Sequence, residues 1–194
     1  MNWQKGYESC MDMIKRHLKE NYHLSNYQIA QLGFLAKTIG SELSKIFVMA
    51  ILFHDRIAEY FFALGIMLCL RCSTGGLHFY TYAGCLAASS FYLILAIRFL
   101  PVIRLYPYMQ ILLLLVCILT CYLTGPVTSK YRPAASDEHN RHCKNTASIF
   151  IFLYALALYI IPENQYLTVG FWIIILHSLQ LAAAKIRKKG EPVK

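Results

Sequence analysis

The chain has 194 residues, of which 57% are hydrophobic and only 15% are charged, and its formal net charge is +9. This composition is too apolar for a soluble domain of this length and predicts an integral membrane protein. The seven cysteines are odd in number and lie mostly in apolar segments, which argues against a secreted disulfide framework. No nucleic-acid-binding motif is present, so the positive charge indicates membrane topology.

The first 24 residues predict an amphipathic helix and a linker. Apolar side chains recur at helical spacing in Trp3, Tyr7, Cys10, Ile14 and Leu18. This helix either lies in the membrane interface or covers another part of this protein or a second copy of it. Because the segment mixes acids and bases without a continuous apolar core, we expect no signal peptide.

A second helix is predicted to open at Ser25, where Ser25-Asn26-Tyr27-Gln28 has the form of a capping box. Its apolar residues run to Phe53, and its spanning half begins near Ile39. Glu42 and Lys45 are one turn apart and are read as a local ion pair rather than a functional relay.

Six apolar runs predict an all-α polytopic bundle with about six membrane spans. The spans are residues 39–53, 57–70, 86–100, 106–123, 146–161 and 166–184. The second run is short for a bilayer core, which implies local thinning or a raised loop. We therefore predict one membrane domain over residues 1–194, with the bundle at 25–184 and a basic tail at 185–194.

Basic residues orient this bundle. They concentrate in the loop 127–145 and in the tail, so the positive-inside rule places both in the cytoplasm. Counting back through six spans then puts residues 71–85 on the cytoplasmic side and the polar corner 54–56 on the opposite side.

Potentially reactive groups are concentrated in the stretch from Arg71 to Cys85. Gly75 and Gly76 favour a helix break, which leaves His78 in non-helical backbone, and a new helix is expected near Thr81. On one straight helix, His78 and Cys85 would lie about 10 Å apart. A loop instead allows the imidazole to approach a thiol that also lies at a helix N-terminus, and both favour the thiolate.

The pattern Arg-x-x-x-Gly-Gly-x-His, followed by six residues and Cys, resembles the AgrB family of accessory gene regulator proteins. The resemblance implies a polytopic membrane cysteine endopeptidase of a Gram-positive quorum-sensing system. Such proteins trim a small AgrD-like precursor peptide and help to cyclise it to a thiolactone or lactone. By this resemblance Cys85 is the nucleophile and His78 the general base, near the cytoplasmic face of the cell membrane.

The resemblance extends to the later basic loop, which also couples basic residues to a proline. It suggests that Lys130 and Arg132, beside Pro133, hold acidic parts of the substrate. The plainer interpretation of these residues is a solvated basic loop.

Two residues near Cys85 in the sequence, Arg71 and Ser89, each have two possible roles. Arg71 is either an oxyanion donor or an anchor to lipid headgroups, and Ser89 either donates to the thiolate or bonds its own helix backbone. Gly75 and Gly76 act through the backbone.

Two alternatives remain beside the peptidase. Cys69, Cys72, His78 and Cys85 together have donors for a metal site, but no metal or other cofactor is predicted. The rival function is a non-enzymatic exporter or scaffold with a Gly-Gly hinge, which needs no thiol at position 85. The predicted partners are the precursor peptide, membrane lipids and a second copy of the chain, without nucleic acid.

Overall fold

The computed structural model describes residues 13, 17, 19, 25–75, 81–126, 136–161 and 164–190. The regular elements in these ranges are all helices, which confirms the predicted all-α fold. The α-helices are α1 (Asn26–Leu52), α2 (Ile57–Thr74), α3 (Tyr82–Ile94), α4 (Pro107–Thr124), α5 (Asp137–Ile160) and α6 (Gln165–Gly190). A 3₁₀ turn at His54–Arg56 precedes α2, and a π turn and a 3₁₀ turn extend α3 to Val102.

The chain divides into two compact units, Met1–Ile51 and Leu52–Lys194. In the first unit, the predicted capping box is present: the Ser25 N–H donates to Gln28 Oε1 at 2.9 Å, and the Gln28 N–H donates to Ser25 Oγ at 3.2 Å. The predicted ion pair is also present, with 2.6 Å between Lys45 Nζ and Glu42 Oε1. The amphipathic N-terminal helix lies outside the described ranges, and a single domain over the whole chain stays a prediction.

Five helical segments are long and apolar enough to cross a membrane. They are His54–Thr74, Tyr82–Val102, Pro107–Thr124, Asp137–Ile160 and Gln165–Ile186. The protein is therefore a multi-pass membrane protein, as predicted. Helix α1, whose charged residues interrupt its apolar run, does not meet this criterion, so the sixth span stays a prediction.

The second span is longer than the sequence analysis predicted. Helix α2 continues past Leu70 to Thr74, and with the preceding turn the segment reaches 21 residues, or about 31 Å at the usual rise per residue. Ser73 and Thr74 are compatible with this helix end because their hydroxyls donate to carbonyls one turn earlier. No local thinning is then required, and Arg71 lies in the last turn of the helix.

The fifth span also begins earlier than predicted, at Asp137 instead of Thr146. Ser136 caps it by accepting from the His139 N–H at 3.2 Å, and Asp137 and Glu138 occupy the first turn. The second half of the predicted basic loop 127–145 is consequently helical.

Helix α6 forms the centre of the second unit. Half of the residues in its membrane-spanning stretch are buried inside the protein, compared with 17–28% in the other four spans. It packs on α2, α4, α5 and the end of α3. Gly170 permits the close approach of α5, because a Cβ there would overlap Tyr154 Oη. The Tyr154 hydroxyl donates to the Leu167 carbonyl at 2.6 Å, which holds this side chain in place.

Contacts along α6 establish the directions of its neighbours. The start of α6 meets the start of α2 through Gln165 Nε2 and Glu59 Oε1 at 3.0 Å, and His177 meets Thr74 at the end of α2. Helices α2 and α6 therefore run parallel.

Helix α4 also runs parallel to α6, because Lys185 Nζ near the end of α6 donates to the Leu123 carbonyl near the end of α4. Helix α5 is antiparallel, since Tyr154 in its second half meets Leu167 at the start of α6. One end of the bundle, which we call the Cys85 end, thus holds the C-terminal ends of α2, α4 and α6 and the N-terminal ends of α3 and α5.

Candidate active site

The break after α2 occurs at Gly75. This residue adopts φ 73° and ψ −147°, and its N–H donates to the Arg71 carbonyl at 2.9 Å. A side chain is disfavoured at this positive φ, so glycine ends the helix here at little cost. The predicted break is confirmed, whereas Gly76 and His78 lie outside the described residues.

The next helix begins where the sequence predicted, with Thr81 as its N-cap. The Thr81 hydroxyl accepts from the Gly84 N–H at 3.1 Å, and the Thr81 carbonyl accepts from the Cys85 N–H at 3.0 Å. Cys85 therefore closes the first turn of α3.

The Cys85 thiol is half-buried at this helix N-terminus. Helix N-termini are among the environments in which reactive cysteines occur, and Cys85 belongs to the first turn of α3. The Ala83 N–H, in the same turn, has no carbonyl of its own helix to bond and is a candidate oxyanion donor. Ser89 is half-buried one turn further along the same face of α3.

Arg71 is half-buried in the last turn of α2, at the Cys85 end. Its Nε atom is buried and finds no hydrogen-bond partner among the described residues. The guanidinium lies within electrostatic range of Tyr92 on α3 and His177 on α6. Tyr92 in turn donates its hydroxyl to the Ile173 carbonyl at 2.7 Å. The two interpretations of Arg71, as an oxyanion donor or as an anchor to lipid headgroups, both stay predictions.

His177 is a polar residue of this region that the sequence analysis missed. It is fully buried, and its Nε2 lies 2.7 Å from the hydroxyl oxygen of Thr74, directly before Gly75. The available signal was one histidine inside the apolar run of the last span, since an ionisable side chain within a membrane span is a candidate functional group. Its partner on another helix could not be read from the sequence.

The remaining described cysteines are spread over three helices. Cys69 and Cys72 are exposed on α2, Cys117 and Cys121 are buried on α4, and Cys143 is buried on α5. Within the parts of the chain that the structure describes, no three His, Cys, Asp or Glu side chains form a group suited to a metal ion.

The predicted substrate-binding residues Lys130, Arg132 and Pro133 lie outside the described ranges. Their flanking residues, Pro126 and Ser136, lie at the Cys85 end of the bundle, next to α4 and α5. A cleft of about 390 Å³ lies between these helices and α6. Its charged and amide-bearing lining residues are Asp137, Asn140, Arg141, Lys144 and Lys185.

Residues 9–181 match the family model of Accessory gene regulator B, AgrB, over most of the chain. The chain belongs to the AgrB family. Membership confirms the resemblance seen in the sequence and means that the protein takes part in processing the precursor peptide of an agr quorum-sensing system. Among the curated proteins and the solved structures, none matches this chain.

The matched range contains the whole AgrB-like stretch from Arg71 to Cys85 and the basic loop. The structure brings Cys85, Arg71, Gly75 and Ser89 to the ends of α2 and α3 at one end of the bundle. The individual roles of these residues, and of His78, stay predictions.

Proposed function

We propose that this AgrB family member is a membrane cysteine endopeptidase that cleaves an AgrD-like precursor through a thioester on Cys85. The bound N-terminal fragment then cyclises to a thiolactone or lactone signal. The reaction needs no cofactor and takes place near the cytoplasmic face of a Gram-positive cell membrane.

The observation that carries this proposal is the position of Cys85 in the first turn of α3, shortly after the Gly75 break. The first turn of a helix is a position that catalytic cysteines occupy in other proteins. The break also lets His78, between the two helices in sequence, leave the helical path that would keep it about 10 Å from Cys85.

The first step forms the acyl-enzyme. His78 takes the Cys85 thiol proton, and the thiolate attacks the carbonyl carbon of the scissile peptide bond. The C–N bond then breaks, and the imidazolium gives its proton to the departing amine. The Ala83 N–H, Arg71 and Ser89 are candidates to stabilise the oxyanion that forms between these events.

The second step decides between a ring and a linear product. A cysteine or serine side chain within the bound fragment gives its proton to His78, which is neutral again, and attacks the thioester carbonyl. The ring bond forms, the C–S bond to Cys85 breaks, and Cys85 leaves as the thiolate. Water attacking the same carbonyl would give a linear acid. Ring closure wins when the site holds the internal nucleophile close to the thioester and excludes water.

Substrate binding is assigned to the basic loop. Lys130 and Arg132 beside Pro133 attract acidic parts of the precursor to the Cys85 end, where the flanks of the loop lie. The apolar part of the precursor and the membrane lipids share the same interface.

The test is cleavage of an AgrD-like precursor by full-length protein in liposomes that contain no other peptidase. Cys85→Ala should abolish cleavage and remove the acyl-enzyme, which intact-protein mass measurement detects on the wild-type chain. Cys72→Ala is the matched control, because Cys72 is a thiol at the end of α2 and exposed. It should keep most activity.

Retained cleavage by Cys85→Ala would overturn the proposal. Transport of uncleaved precursor across the same liposomes by both the wild type and Cys85→Ala would favour a non-enzymatic exporter instead.

A further inference from the structure

One hydrogen bond ties the last turn of α2 to the central helix of the bundle. Thr74 Oγ1 and His177 Nε2 are 2.7 Å apart, and the two residues are 1% and 0% exposed. Thr74 is the last residue of α2 and directly precedes the positive-φ Gly75. The bond is therefore made at the point where the chain leaves α2 toward His78.

The partners of Thr74 define the direction of this bond. A hydroxyl has a single proton, and that of Thr74 is directed to the Leu70 carbonyl at 2.8 Å. With its proton used there, the Thr74 oxygen accepts from His177 Nε2–H. His177 is then the tautomer with the proton on Nε2, and its Nδ1 carries a lone pair.

Two buried polar atoms near this bond lack partners among the described residues. One is the acceptor His177 Nδ1, and the other is the donor Arg71 Nε. The Arg71 guanidinium lies within electrostatic range of the His177 ring. A leucine at position 177 would fill an apolar helix without the cost of an incompletely bonded imidazole. Packing alone therefore does not account for a histidine at this position.

We infer that His177 is a positioning residue of the peptidase site, which acts through its hydrogen bond to Thr74. This inference rests on the proposed function. The bond fixes the rotation of the last turn of α2 against α6, and so fixes the direction in which the chain enters Gly75. His177 acts on the described backbone at Thr74 and Gly75, and not on the reacting atoms.

Four full-length variants test the bond in the liposome cleavage assay. His177→Leu and Thr74→Val each remove one partner at similar volume. His177→Gln keeps an N–H near the position of Nε2. The double variant Thr74→Val/His177→Leu completes a double-mutant cycle, which measures the coupling between the two residues.

We expect His177→Leu and Thr74→Val each to lower the cleavage rate at saturating precursor about tenfold. This factor corresponds to the loss of one buried hydrogen bond that positions the end of α2. The precursor concentration for half-maximal rate should stay unchanged. His177→Gln should retain most of the rate, and the double variant should fall no further than either single variant, because both remove the same bond.

Two controls separate positioning from folding. Ser178→Ala alters the neighbouring buried residue of α6, whose hydroxyl donates to the Ile174 carbonyl, and should cleave at the wild-type rate. Thermal unfolding of each variant in detergent gives stability independently of activity. If His177→Leu fails to accumulate in the membrane, Thr74→Val still removes the same bond.

A wild-type rate in Thr74→Val, or additive losses in the double variant, would overturn the inference. The inference would also be overturned if the cleavage rate fell in proportion to the unfolding temperature in all variants, including Ser178→Ala. These outcomes leave the proposed function intact as long as Cys85→Ala is inactive. Cleavage by Cys85→Ala would instead overturn the proposed function itself.

Discussion

Arg98 donates to Asp55 at 2.8 Å and so joins the π turn after α3 to the corner before α2. The neighbouring Arg56 donates to the Ile97 carbonyl at 3.2 Å. These contacts lie at the end of the bundle opposite Cys85, because α2 and α3 run in opposite directions between the two ends. The polar corner is thus a helix connection, and we expect this end to face the outside of the cell.

Labelling of engineered cysteines tests this orientation. In a chain whose native cysteines are replaced, Arg187→Cys near the end of α6 should be shielded from an impermeant maleimide in intact cells. Ile161→Cys, an exposed position before the start of α6, should be labelled. Both should react once the cells are lysed, and external labelling of Arg187→Cys would contradict the cytoplasmic placement of the Cys85 end.

Substitutions in the basic loop should affect binding and leave the chemistry intact. Replacing Lys130 and Arg132 together with alanine should raise the precursor concentration needed for half-maximal cleavage. The remaining activity should depend less on salt, because exposed charges are screened within about 8 Å at physiological ionic strength. His78→Ala should instead lower the rate at saturating precursor. A double variant with wild-type affinity and no acyl-enzyme would place the loop in the catalytic machinery.

Gly170→Ala should destabilise the bundle by about 1–3 kcal/mol, because the added methyl group would overlap Tyr154 Oη in a well-packed contact. Thermal unfolding in detergent measures the loss. Gly65→Ala on α2 is the matched control, since nothing lies within 4 Å of a Cβ there, and it should be neutral or slightly stabilising. Tyr154→Phe removes the overlapping oxygen and should reduce the cost of Gly170→Ala. Equal unfolding temperatures for the Gly170 and Gly65 variants would refute this account.

Features with a local cause could be predicted from the sequence. The capping box at Ser25, the break at Gly75 and the new helix after Thr81 each depend on residues within one turn of one another. The AgrB-like pattern of Arg71, Gly75, Gly76, His78 and Cys85 was visible because it is a fixed spacing along the sequence and does not depend on the fold.

Features that depend on competition between helix and loop were predicted less well. The apolar run of the second span ends at Leu70, but α2 continues to Thr74 because the Ser73 and Thr74 hydroxyls bond to helix carbonyls. The apolar run of the fifth span begins at Thr146, but α5 starts at Asp137 because Ser136 caps the helix there. The partnership of Thr74 with His177, 103 positions apart, depends on tertiary packing, which periodicity does not encode.

The helix on which the bundle packs is also the last of the described helices in chain order, and this has a consequence for biogenesis. Helices α2 to α5 are synthesised before α6, so until it emerges the hydroxyls of Tyr92 and Tyr154 lack the α6 carbonyls to which they donate. Such unmet groups are costly in lipid. We therefore expect the earlier spans to associate only loosely until α6 is inserted, and a chain that ends before Gln165 to be more sensitive to proteolysis than the full chain.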